Sequence, residues 1–287
     1  MDLATSSGEP AAPDAPGSWA QVWEGESPWP PLLWAAHECG KTRVDNDSRT
    51  LLHWACVKGD GEVLRTLLRD GGCREAVLRA DKQKWTPLLS AASAGHSGVV
   101  RELLQALEGP EKASALGHTN HMGCGPLHYA ASKGHAEILA LLISSLPDPA
   151  ASALDAANSV GETPLLRAVA SRRFSAASVL IQAGASAHTR NGSGENVLHL
   201  LASEPQLAED AEGWALASSL LSLRCRPEDL RCRSLDGHSP LDIALRSANM
   251  PFARLIKQHL ADPVAAAASS PSAFVIPQPS STDSMYL

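Results

Sequence analysis

Histidines and cysteines are the residues whose spacing in this chain could support chemistry. His118, His121 and Cys124 stand three residues apart, a loose version of the ligand spacing in zinc sites. No fourth ligand accompanies them, so we interpret the group as part of a connecting loop and predict neither a metal nor a cofactor. Three other histidines recur in one short motif, where a bond to a nearby hydroxyl or backbone group explains them better than a ligand role. They are His53, His128 and His199.

The sequence contains no arrangement typical of an enzyme. No Ser/His/Asp or Cys/His set stands out that would activate a nucleophile. Gly192-Ser193-Gly194 lacks the preceding strand and the Lys of a phosphate-binding loop. The six cysteines are scattered without Cys-x-x-Cys spacing, which indicates reduced thiols. We therefore predict that the protein is not an enzyme and acts by binding.

The formal net charge of −7 belongs to the two ends of the chain. Residues 1–28 carry five acids and no base, and residues 262–287 carry two acids and no base. The 24 bases of residues 29–261 are therefore balanced by 24 acids (31 − 5 − 2). A neutral body argues against nucleic-acid binding, which needs a basic surface. No run approaches the length of apolar residues that a membrane-spanning helix requires.

The middle of the chain repeats a pair of helical segments. The first segments of the pairs begin at residues 50, 86, 125, 163, 196 and 239. Thr or Ser at the start predicts a helix cap, and Pro at the next position suits the first helical turn. Glycines such as Gly59 predict a left-handed helix end. The second segments carry a one-sided stripe of Leu, Val and Ile. Insertions near 105–118, 144–157 and 204–214 are expected only to lengthen loops.

A period near 33 residues with the motif Thr-Pro-Leu-His-x-Ala is the signature of ankyrin repeats. The sequence therefore predicts an all-α ankyrin-repeat solenoid of about six repeats over residues 29–261. A degenerate half-repeat around residues 31–36 precedes the six. It is either a cap or a repeat that has lost its second helix. Residues 1–28 and 262–287 have the composition of disordered tails.

Large or charged side chains on the first helices and on the finger loops between repeats are candidates for contacts with a partner. These surfaces form the concave face of a solenoid, where side chains are not needed for stacking. Taken singly, each residue is explained by solvation or by packing on the next finger. Taken as a set, Arg, Trp and Tyr have the composition of interface hot spots. The predicted partner-binding residues are Asp47, Arg49, Trp54, Trp85, Tyr129, Lys133 and Arg167.

Three stretches, 45–56, 85–95 and 123–133, resemble the gankyrin family beyond the general ankyrin pattern. They contain Asp-Ser-Arg-Thr, His-Trp-Ala-Cys and His-Tyr-Ala-Ala-Ser-Lys, and the resemblance covers about 29–260. It implies a chaperone for assembly of the base of the proteasome regulatory particle, with the C-terminal domain of a proteasomal AAA ATPase held in the concave face. Arg49 and Lys133 match basic contact positions of the family, which implies charge-assisted bonds to carboxylates of the partner.

The resemblance leaves an alternative and adds further expectations. The alternative is a generic ankyrin-repeat adaptor in signalling or transcription. Met285-Tyr286-Leu287 fits the hydrophobic-Tyr-any pattern by which proteasomal ATPases dock into the core particle. A contact with the core particle is therefore an expectation, against the alternative of a random chain end. We expect a monomer of the cytoplasm and nucleus that binds neither nucleic acid nor membranes.

Overall fold

The computed structural model describes residues 44–69, 74–146 and 153–261, and every regular element within these ranges is a helix. Contacts divide the chain into two compact units, with the boundary between Gly192 and Ser193. The predicted half-repeat, both predicted tails and Met285-Tyr286-Leu287 lie outside the described residues. What was predicted for them stays a prediction.

Within its described residues, the first unit contains four pairs of helices and two short additional helices. Inner helices contact the inner helices of neighbouring pairs, and outer helices contact outer helices, so the pairs stack in two layers. The helices are α1 Leu51–Lys58, α2 Gly61–Arg69, α3 Arg74–Leu78, α4 Pro87–Ala94, α5 Ser97–Ala106, α6 Gly109–Gly117, α7 Pro126–Lys133, α8 Ala136–Ser144, α9 Pro164–Ala170 and α10 Phe174–Gln182. The inner helices are α1, α4, α7 and α9, and the outer helices are α2, α5, α8 and α10.

The second unit, up to residue 261, contains two more pairs with a short helix between them. Its helices are α11 Val197–Ala202, α12 Ala211–Leu223, α13 Pro227–Arg231, α14 Pro240–Arg246 and α15 Met250–Ala261. Helix α11 packs on α14 and α12 packs on α15, so the pairing of the first unit recurs. Four pairs in one unit and two in the other confirm the prediction of an all-α array of about six repeats.

The helix ends follow the predicted signals. Thr86 caps α4, since its Oγ1 accepts a hydrogen bond from the N–H of Leu89 at 3.3 Å. Gly59 ends α1 with φ of 78°, and a Cβ there would lie 2.5 Å from Nδ1 of His96. Only glycine fits both the left-handed conformation and this close approach.

The expectation that the insertion at 105–118 only lengthens a loop is wrong. Residues Gly109–Gly117 form α6, which begins with a proline in its first turn and buries Ala115 and Leu116. Helix α6 contacts α3, which lies in the preceding connection between repeats. The burial of two side chains and the contact with α3 account for a helix that has little apolar periodicity of its own. The insertion at 204–214 likewise contains the first turn of α12.

Leucine, alanine and valine fill the core of the first unit. Ala91 and Ala92 of α4 are fully buried, as are Ala130 and Ala131 of α7. Such small side chains let neighbouring inner helices approach closely. No helix within the described ranges is long and apolar enough to span a membrane.

Candidate partner-binding surface

Each of the four described repeats of the first unit is entered through a finger of five residues that opens with Asp or Asn. In the second finger, Oδ1 of Asp81 accepts the N–H groups of Gln83 and Trp85, both at 2.8 Å. The N–H of Asp81 donates to the carbonyl of Trp85 at 2.8 Å. The other three fingers open with Asp45, Asn120 and Asn158, which make the same three bonds. These bonds close all four fingers.

Neighbouring fingers are joined through their backbones. The N–H of Lys82 donates to the carbonyl of Asp47 at 2.9 Å, and the N–H of Ser159 donates to that of Met122 at 3.0 Å. These links fix the spacing of the fingers. Side chains on adjacent fingers therefore act as one surface.

Arg49 and Trp54 form the first side-chain pair of this surface. The Cζ atom of Arg49 lies 5.8 Å from the centroid of the Trp54 ring, a cation–π contact. Nε of Arg49 donates to Oδ2 of Asp81 at 3.1 Å, and the Asp81 side chain is fully buried while that of Arg49 is 36% exposed. Nε1 of Trp54 donates to Oδ2 of Asp45 at 3.2 Å. Both side chains are thus held in place while part of each stays accessible.

Trp85 and Tyr129 form the second pair. Their ring centroids lie 4.5 Å apart and the ring planes are tilted by 45°. The Tyr129 hydroxyl accepts a hydrogen bond from Nδ2 of Asn120 at 2.7 Å. Burial raises the pKa of the Tyr129 hydroxyl, so this pair is uncharged at neutral pH. Both rings are half-buried and offer an apolar face.

The remaining predicted residues continue or flank these pairs. Lys133 is exposed and lies four residues after Tyr129 on α7, so the two share a helix face. Nη1 of Arg167 donates to Oε2 of Glu162 at 3.2 Å, and its charge is felt at the Tyr129 hydroxyl. Asp47 is exposed in the first finger. We call Arg49, Trp54, Trp85, Tyr129, Lys133 and Arg167 the inner strip.

The residues that open the fingers were missed by the sequence reasoning. Each stands five residues before the residue that caps the following inner helix, as Asp45 does before Thr50 and Asp81 does before Thr86. Asp or Asn five residues before each helix cap is the sequence pattern that would have identified them.

The motif histidines have the structural role expected of them. Nδ1 of His53 accepts the N–H of Thr50 at 3.1 Å, which leaves Nε2 to donate to the carbonyl of Trp85 at 3.0 Å. His128 makes the same links to Gly125 and Glu162. His199 makes them to Asn196 and His238 in the second unit. Each imidazole thus connects the start of its own inner helix to the next finger.

The three residues with loose zinc spacing are engaged separately. Nε2 of His118 bonds the carbonyl of Lys84 at 2.9 Å, and Nε2 of His121 bonds that of Lys82 at 2.9 Å. Cys124 is buried. Across residues 44–69, 74–146 and 153–261, no group of three His, Cys, Asp or Glu side chains is placed to hold a metal ion.

Two of the described cysteines, Cys56 and Cys225, are poor nucleophiles. Cys56 and Cys124 are buried thiols. Burial raises the pKa of the Cys56 thiol, and it raises the pKa of Cys225 to about 12. Thiols with raised pKa values stay protonated and react slowly.

Lowering the pH should weaken the fold through His53 and His128. Burial lowers the pKa of both imidazoles below the ordinary value of 6.5. Below that pH the unfolded chain binds protons that the folded chain does not, so the stability present above pH 6.5 is lost as the pH falls. For each histidine, about 1.4 kcal/mol per pH unit is the upper limit of this loss. Urea unfolding between pH about 7.5 and about 5.5 measures it.

The control for this pH dependence is the double substitution His53→Gln and His128→Gln. It removes both titrating groups and should flatten the pH profile, although the variant starts from a lower stability. A parent profile as flat as that of the variant would contradict the assignment.

Comparisons with known proteins agree with this architecture. The ankyrin-repeat family model, in its three-copy form, matches residues 30–115 and 109–191, more than half of the chain. The 26S proteasome non-ATPase regulatory subunit 10 of Dictyostelium discoideum is 44% identical over 61 residues, which are 21% of this chain and 25% of the relative. The ankyrin repeat-containing protein C6C3.08 of Schizosaccharomyces pombe is 32% identical over 107 residues, 37% of this chain and 43% of the relative.

A longer but weaker match is the nuclear factor NF-kappa-B p105 subunit of Gallus gallus, 27% identical over 223 residues, 76% of this chain and 21% of the relative. The chain spans less than half the length of each of these relatives. The family model and the helix pairs that stack within each unit lead to the same conclusion: the chain belongs to the ankyrin-repeat family.

Proposed function

We propose that this protein is a chaperone for assembly of the base of the proteasome regulatory particle. In this proposal the inner strip holds the C-terminal domain of a proteasomal AAA ATPase. The observation that carries the proposal is a row of Arg, Trp and Tyr side chains that are partly exposed and fixed by bonds to the fingers. The match to a proteasome regulatory subunit of Dictyostelium discoideum supports it.

The inner strip suits an acidic, partly apolar partner for physical reasons. Arg49 uses Nε to bond Asp81, and a guanidinium has further N–H donors that can bind a carboxylate of the partner. Trp85 and Tyr129 supply apolar area with few rotatable bonds. Because these side chains are already held in place, binding orders few of them, and this saves conformational entropy.

Reversing the basic charges of the inner strip should abolish tight binding to the ATPase domain. We expect Lys133→Glu alone to weaken the affinity about tenfold or more, since a charge-assisted bond is replaced by repulsion. Adding Arg49→Glu should weaken it further. Isothermal titration calorimetry of the full chain with the purified ATPase C-terminal domain measures both affinities. Lys133→Glu is the more direct test, because Arg49→Glu also places a carboxylate beside buried Asp81.

The matched control is Arg254→Glu with Lys257→Glu. Both residues are exposed on α15, and the control changes the net charge by as much as the double variant. It should bind like the parent. Equal weakening by control and test variants would refute the site, and no binding by the parent would refute the function.

The second candidate is a generic ankyrin-repeat adaptor in signalling or transcription. The observation in its favour is that the longer alignment, over 76% of the chain, is to the p105 subunit and not to the proteasome subunit. A parent that fails to bind the ATPase domain would favour this candidate.

Three further parts of the proposal rest on sequence patterns. We propose that the protein acts as a monomer in the cytoplasm and nucleus, which suits buried reduced thiols. We also propose a contact of Met285-Tyr286-Leu287 with the proteasome core particle. Unchanged core-particle binding after deletion of these three residues would refute that contact.

A further inference from the structure

The residues that open the fingers make a second set of contacts besides closing the finger. One side-chain atom, Oδ1, accepts the two backbone N–H groups in each of the four described fingers. The other atom reaches towards the inner strip. In Asp45 it is Oδ2, which accepts from Nε1 of Trp54 at 3.2 Å, and in Asp81 it is Oδ2, which accepts from Nε of Arg49 at 3.1 Å.

The third and fourth fingers open with Asn, and there the direction of the bond is reversed. Nδ2 of Asn120 donates to the Tyr129 hydroxyl at 2.7 Å. Nδ2 of Asn158 donates to Oε2 of Glu162 at 3.2 Å. The same Glu162 oxygen accepts from Nη1 of Arg167, so Asn158 acts on the inner strip through the carboxylate.

Whether a finger opens with Asp or Asn therefore matches the hydrogen-bonding capacity of the side chain that this residue contacts. Trp54 and Arg49 have only donors at the bonded atom, and each faces a carboxylate. A carboxylate has only acceptors, and Glu162 faces an amide that donates. The Tyr129 hydroxyl can do both and accepts from an amide. Since Asp and Asn have the same shape and both supply Oδ1, closure of the finger does not require this match.

We infer that the finger-opening residues are positioning residues of the inner strip, and that their identity as Asp or Asn sets which side chains the strip can hold. Each fixes the orientation of a contact residue while its Oδ1 keeps the finger closed. Specificity for the partner is thereby determined in part by residues that do not face it. Only the identity of the partner in this inference rests on the proposed function.

Two isosteric substitutions with opposite expected outcomes test the inference. Asp45→Asn places an amide donor opposite the Nε1–H donor of Trp54, so the bond is lost. Asn120→Asp places an acceptor opposite the Tyr129 hydroxyl, which can turn and donate, so the bond is kept. Both variants should stay folded, because Asp and Asn each already close two of the four fingers.

The first measurement is hydrogen exchange of the Trp54 indole N–H in the full chain by NMR, with the resonance assigned through Trp54→Phe. Asp45→Asn should exchange this proton about tenfold faster, and Asn120→Asp should leave it unchanged. The second measurement is affinity for the ATPase C-terminal domain. We expect a loss of about tenfold for Asp45→Asn and of less than about twofold for Asn120→Asp.

Unchanged Trp54 exchange in Asp45→Asn would overturn the inference, as would equal effects of the two substitutions on affinity. The two proposals can fail separately. If the parent does not bind the ATPase domain, the proposed function fails, and the exchange measurement still decides whether Asp45 positions Trp54.

Discussion

Asp81→Ala should lower the free energy of unfolding by about 3 kcal/mol. The Asp81 side chain is fully buried, and its two oxygens accept bonds from two backbone N–H groups and from Nε of Arg49. Alanine leaves these donors without an acceptor and opens the second finger. Urea unfolding followed by circular dichroism gives the loss directly.

Asp81→Asn is the matched control for this prediction. Asn keeps Oδ1 and hence the closed finger, as Asn120 and Asn158 do in theirs, and loses only the bond to Arg49. Asp81→Asn should lower the free energy of unfolding by only about 1 kcal/mol, because Arg49 remains partly solvated. An equal loss in both variants would show that the ion pair, and not closure of the finger, carries the stability.

Gly161→Ala should be about as destabilising, by about 3 kcal/mol. Gly161 has φ of 78°, where a side chain is strained, and a Cβ there would lie 2.7 Å from the backbone nitrogen of Gly192. That nitrogen donates to the carbonyl of Val160 at 2.8 Å, so the added atom would also break a link between fingers. Thermal and urea unfolding both report the change.

The opposite change, from a side chain to glycine, can be made at the equivalent position of the second finger. Lys84 occupies the left-handed position with φ of 59°. Lys84→Gly removes the strain and should stabilise by at most about 1 kcal/mol, since glycine also loses more entropy on folding. Gly161→Ala could lower the free energy of unfolding by no more than Lys84→Gly raises it. That result would show that the backbone near Gly192 moves away from the added Cβ at no cost.

The fold was predictable because its signals are local. The cap at Thr86 and the left-handed turn at Gly59 each involve residues within one helix and recur with the repeat, so six helix pairs could be counted from the sequence. Helix α6 could not be found in this way. It is held by burial of Ala115 and Leu116 and by its contact with α3, and neither leaves a periodic pattern.

The candidate site was predictable by residue type but not by pairing. The sequence marked Arg49 for the carboxylates of a partner, and the structure adds an internal carboxylate, Asp81, which stands 32 residues later and takes one donor. Trp85 was given packing on a neighbouring finger as its alternative role. In the structure its ring pairs with Tyr129 on the next inner helix. Both pairings depend on how consecutive repeats are aligned, which the sequence does not specify.

Because the fingers are linked through backbone atoms, the spacing of the repeats does not depend on which side chains the linked residues carry. The link at Met122 uses its backbone carbonyl, while the residue as a whole is 56% exposed. Val160 also accepts through its carbonyl and is 53% exposed. Mutation at such positions changes what another molecule touches and leaves the distance between repeats unaltered. A scaffold built in this way can acquire new binding properties one residue at a time, because each such substitution leaves the backbone bonds that stack the repeats intact.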